Sequence, residues 1–72
     1  MDYRKYIIID SNIRFGKPIV KNTRISVYDV LNWLSNGMQK HDIINDFPEL
    51  NINQINACLA FAADRENRIR VA

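Results

Sequence analysis

Seventy-two residues, 47% of them hydrophobic and 25% charged, describe one folded domain near the lower size limit for an unaided core. The single cysteine, Cys58, excludes an intrachain disulfide and a cysteine-based zinc site. No apolar run is long enough to span a bilayer and no cleavable leader is evident, so a cytoplasmic location is expected. The net charge of +2 is unevenly placed: residues 1–24 hold six cations against two carboxylates, 25–64 one against five, and 65–72 three against one. Basic ends therefore flank an acidic middle.

Tyr6-Ile7-Ile8-Ile9 is a β-branched run that ends at the turn cluster Asp10-Ser11-Asn12, and it reads as a strand. Paired with Ile19-Val20 or with Ile25-Val27, it forms a small ribbon. A lone two-stranded ribbon is marginal in water. It needs helices or a second copy of the chain to pack against, and the uncovered strand edge points to a homodimer. Phe15 is expected to plug the core. Gly16 permits positive φ, Pro18 holds Lys17 extended, and Asn22 tolerates a left-handed turn.

Ser26, with Asp29 three residues on, caps a first helix whose apolar positions Val27, Val30, Leu31 and Leu34 follow helical spacing. Asn36-Gly37 ends it, with Gly37 in the left-handed position after the cap. A short second helix runs from His41 to Asp46, with Ile43, Ile44 and Phe47 inward, and Pro48 stops it. Asn51 caps a third helix, for which Ile52, Ile55, Leu59 and Ala62 form the expected inner face. That helix is expected to fray over Asp64–Asn67 and leave residues 68–72 as a tail. The fold class is mainly α: one domain over residues 1–72, with a β element at 1–25 and a tri-helical, homeodomain-like helix-turn-helix core at 26–66.

Two surfaces are candidates for DNA. The third helix opens with the amides Asn51, Asn53, Gln54 and Asn56, and Asn and Gln can bond adenine at two points in the major groove. Against this, the helix has no cation before Arg65, and the same amides serve equally as caps or solvated polar groups. The ribbon offers Arg14, Lys17, Lys21 and Arg24, and two-stranded ribbons do enter major grooves. Arg24 is better suited to anchoring the turn on helix carbonyls or on Asp29 or Asp46. Trp33 lies off the main stripe of the first helix and serves either the core or an interface. His41 and the Asp42/Asp46 pair read as solvated, and Cys58 as a buried, inert thiol. No phosphate loop, catalytic triad or zinc spacing is found, so no enzyme, metal or cofactor is expected.

The run Gly16-Lys17-Pro18-Ile19 with Thr23-Arg24-Ile25 resembles the bacterial domain-of-unknown-function family 433. So do Asn36-Gly37-Met38, Phe47-Pro48-Glu49-Leu50, and Ile55 with Ala57, Leu59 and Ala60, so that the resemblance covers Ile9 to Ala63. The family usually has glycine before Thr-Arg, where this chain has Asn22. The resemblance implies a small antitoxin encoded beside a PIN-like ribonuclease toxin, neutralising that toxin and repressing its own operon. Antitoxins in general place toxin-binding segments beyond the DNA-binding core, which makes Arg65, Arg68 and Arg70, with Trp33, the candidate partner-binding residues. The alternative is a stand-alone DNA-binding regulator with no toxin.

Overall fold

The computed structural model describes residues 1–70, the side chain of Arg70 excepted. The fold is mainly helical, with a short antiparallel hairpin at the N-terminal end. Strand β1 (Ile7–Ile9) pairs with β2 (Pro18–Val20) in the register Ile7↔Val20, Ile8↔Ile19, Ile9↔Pro18. Helices α1 (Val27–Ser35), α2 (Lys40–Asp46) and α3 (Ile52–Arg70) follow. A single 3₁₀ turn occupies Tyr3–Lys5, and Arg14–Gly16 forms a turn with positive φ throughout. Of the two pairings expected of the first strand, the one with Ile19-Val20 forms, and the segment Ile25-Val27 meets β2 instead. Val20 belongs to β2, and the chain then doubles back so that Ile19 also bridges Ser26.

The doubling back is built locally. Asn22 takes the left-handed φ of 64° that its side chain tolerates. The Thr23 hydroxyl donates to the Val20 carbonyl at 2.8 Å and accepts from the Ile25 N–H at 3.0 Å. The core forms where the inner ribbon face meets the helices: Ile7, Val20, Ile25, Val27, Val30, Ile43, Leu50, Ile55, Ala57 and Cys58 are all buried. Burial pushes the Cys58 thiol up to about 11, which leaves it protonated and inert at neutral pH.

Side chains supply bonds at the start of each helix, and backbone N–H groups close the ends of α1 and α2. The Ser26 oxygen accepts from the Asp29 N–H at 2.9 Å, and the Asp29 carboxylate accepts from the Ser26 N–H at 3.0 Å, a reciprocal capping box. At the other end of α1, Gly37 (φ 97°) donates to the Leu34 carbonyl and Met38 to that of Trp33, the Schellman pattern. Asp42 accepts from the Gln39 N–H at 2.9 Å, so α2 begins one residue earlier than expected and Asp42 works as a cap partner. Asn51 and Gln54 repeat the box on α3, with bonds of 2.9 and 2.7 Å.

Four expectations are corrected. Phe15 does not plug the core; it is 98% exposed, on three consecutive residues with positive φ. Arg24 does not anchor the turn. Arg14 does, donating from Nη1 to the Arg24 carbonyl at 2.7 Å and to Asp29 Oδ2 at 3.2 Å. The reason is conformational: the left-handed backbone at Arg14 (φ 52°) aims its side chain back across the ribbon. On α3, Ile55 is buried but Ile52 and Leu59 are exposed, and the inner face runs through Ala57, Cys58 and Phe61 instead. The N-terminal turn causes this rotation, since Tyr3 packs edge-on against Phe61 with centroids 5.4 Å apart. Finally, α3 continues to Arg70 without fraying at residue 64. Tyr3 donates to Asp64, which also pairs with Arg68 one turn on at 3.1 Å, and these contacts tie down the last turns. Val71 and Ala72, in the expected tail, lie outside the described residues.

The Arg14–Asp29–Ser26 cluster makes stability pH-dependent. Burial raises the Asp29 pKa, but bonds from Ser26 and the Arg14 guanidinium outweigh it and hold the group below its ordinary value. A carboxylate depressed in the folded state stabilises the fold above its unfolded pKa and loses that contribution as pH falls through the folded one. Thermal melts between neutral pH and about pH 3 should therefore show a falling Tm. In Asp29→Asn the neutral-pH Tm should be lower and the acid slope shallower. An acid slope identical to that of the parent would show that Asp29 carries none of it.

Candidate partner-binding surface

The described surface has a groove with a mainly apolar floor between α1 and α3. Its first wall is the start of β2 and the first turns of α1, from Lys17 and Pro18 to Val27, Tyr28 and Leu31. The second wall is the C-terminal half of α3, where Phe61, Ala62, Arg65, Glu66 and Ile69 fall one turn apart along one side of the helix. The groove is open and encloses about 500 Å³. Its sides exist because α3 outlasts the core by several turns, which face α1 and the start of β2 on one side and the Tyr3–Lys5 turn on another. Tyr28 and Ile69 remain 65% and 68% exposed there, an apolar surface that the chain itself does not cover.

Two cations frame this floor. The Arg65 guanidinium lies 5.4 Å from the centre of the Phe61 ring, a cation–π placement that holds it over the groove. Lys17 stands on the opposite wall, exposed. Among the described residues neither has a carboxylate partner, and Glu66 is the one acidic residue on the groove's walls.

The other expected site residues are placed elsewhere. Lys21 and Arg24 rim a second, smaller recess on the outer ribbon face, over Ile8, Ile13 and Ile19. The four basic side chains of the ribbon thus split three ways: Arg14 is tied inside, Lys17 faces α3, and Lys21 and Arg24 face out. Asn51 and Gln54 are spent in the α3 capping box, and Asn56 is half-buried and accepts from the Lys40 ammonium at 2.7 Å. Of the four amides at the start of α3, only Asn53 is exposed with no such side-chain bond among the described residues. Trp33 stacks on Phe47 with ring centroids 4.3 Å apart and an interplanar angle of 11°, half-buried at the α1–α2 junction. Arg68 pairs with Asp64, and the Arg70 side chain lies outside the described residues. The groove itself escaped the sequence reading. Its one advance signal was Arg65 four residues after Phe61, a spacing that stacks the two on a helix face.

A hairpin, two capped short helices, a long third helix and an apolar groove that the chain leaves uncovered make up a small, mainly helical domain. The match to known proteins follows the same boundaries. Residues 7–62 fit the family model described as Protein of unknown function (DUF433), and the chain belongs to that family. A crystal structure of a DUF433 member protein from Anabaena variabilis has the same fold, with a TM-score of 0.80 at 21% identity over 88% of this chain. The chain spans 62% of the length of that protein. No curated protein matches the sequence. Among the described residues, no helix is long and apolar enough to cross a membrane.

Proposed function

We propose that this chain is the antitoxin of a toxin–antitoxin pair, which binds and neutralises a PIN-like ribonuclease and represses its own operon by binding DNA. The observation that carries the neutralising role is the α1–α3 groove, an uncovered apolar floor between two unpaired cations. Such a site suits a protein segment that brings apolar side chains together with carboxylates. A metal-dependent nuclease has carboxylates at its active site, and an arginine or lysine delivered there competes with the metal. The engagement of Asn51, Gln54 and Asn56 within the chain favours a protein partner over base reading by α3 as the principal role. Ile8 and Ile9, exposed on β1, support pairing with a second copy.

The test is co-expression with the reading frame next to this gene, followed by a ribonuclease assay. A PIN-like product that co-purifies with the chain and loses nuclease activity in its presence is the expected result. A neighbour of any other kind, or a nuclease that stays active, would favour the stand-alone DNA-binding regulator.

A further inference from the structure

Phe15 is the anomaly of the molecule. A large apolar side chain stands 98% exposed at the loop between β1 and β2. Its backbone is strained as well, since Arg14, Phe15 and Gly16 have φ of 52°, 59° and 78° in succession. Glycine accepts such values freely; arginine and phenylalanine do not. The strain is held in place by Arg14, whose guanidinium bonds the Arg24 carbonyl and the Asp29 carboxylate, and Asp29 in turn is fixed by the α1 cap. The loop is therefore a rigid mount that holds an aromatic ring off the surface.

The surroundings of the ring decide what it fits. Between residues 10 and 17, Phe15 is the only exposed large apolar side chain. A protein hot spot is normally ringed by contacts that exclude water, and its centre is poor in charge. Here the surrounding chain carries cations instead. Lys17 follows Phe15 two residues on, while Lys21 and Arg24 lie on the turn that the Arg14 side chain reaches. Lone apolar wedges set among cations are used at kinkable base steps of duplex DNA, whereas single strands are tracked by successive aromatic rings.

From this we infer that Phe15 is a wedge that enters a base step of duplex DNA while Lys21 and Arg24, on the outer ribbon face, hold the flanking phosphates. The inference rests on the regulatory half of the function proposed above and gives it a site on the ribbon. The experiment measures binding to two short duplexes, one with a central TA step and one with a stiff A-tract, and to the corresponding single strands, across a range of salt. A 2-aminopurine at the TA step reports unstacking. Phe15→Ala should weaken binding to the TA duplex roughly tenfold. It should also abolish the 2-aminopurine signal and leave the salt slope and the Tm of the protein unchanged; Phe15→Trp should restore affinity. Lys21→Ala and Arg24→Ala should each lower the salt slope by about 0.9. If the parent chain binds no duplex, the regulatory reading fails and the wedge with it. If it binds and Phe15→Ala binds equally well, the wedge alone is overturned. Tighter binding to single strands, or a Phe15→Ala defect confined to nuclease inhibition, would also overturn it, in favour of a stacking platform or a protein anchor.

Discussion

Ile55→Ala should cost about 2–5 kcal/mol, against a total stability of about 4–11 kcal/mol for a domain of this size. Ile55 has no exposed surface, and it sits where α3 meets the buried residues of the other helices and the ribbon. Truncating it removes three carbons from a core with few other large side chains and leaves a cavity that rigid neighbours fill only in part. The informative companion is Leu59→Ala. Leu59 lies one turn further along the same helix and was expected on the same inner face, yet it is exposed. Its truncation should cost less, about 1 kcal/mol, because 38% of its surface is already exposed. Urea denaturation followed by circular dichroism separates the two, with the midpoint of Ile55→Ala far below that of the parent and Leu59→Ala nearer to it. Equal losses would mean that α3 is rotated from the orientation described here.

Reversing both groove cations, Lys17→Glu with Arg65→Glu, should reduce affinity for the nuclease by two orders of magnitude or more. Each substitution replaces an attraction to a carboxylate-bearing segment by a repulsion, and like charges across an interface cost several kcal/mol. The fold should tolerate the change, because both residues are exposed and neither has an ion-pair partner among the described residues. Lys21→Glu is the control. It makes one such reversal on the outer ribbon face, so nuclease affinity should hardly move while any DNA binding falls. Calorimetry with the purified nuclease, with the Tm of each variant measured alongside, gives the comparison. Full affinity in the double reversal would remove the groove from the interface.

The candidate residues divide by how far apart their partners lie in the chain. The cations of the groove are 48 positions apart, and Tyr3 and Asp64 are separated by 61. No local pattern could pair them. Arg24 was the plausible anchor because it stands nearest to Asp29. Arg14 took the role because a ribbon laid across the start of α1 brings a residue 15 positions away closer than one five positions away. The amides of α3 read equally as caps and as base readers, because residue type alone does not say whether Gln54 bonds a base or the backbone of Asn51.

What the sequence by itself determined is local. Ser26 with Asp29, Asn51 as the cap of α3, Gly37 after α1 and the left-handed turn at Asn22 all formed as their residues dictated. Each involves groups within four residues, so the backbone bonds they satisfy are set before any packing. The family was legible for the same reason, in short runs that specify turns. The tertiary structure alone decided which side of α3 faces inward, where Arg65 hangs, and that Phe15 points away from the core. Apolar residues occur nearly all round α3 between Ile52 and Ala63, so helical periodicity favours no single face. The face is chosen by Tyr3 against Phe61 and by the ribbon against α1, contacts that exist only once the elements have crossed.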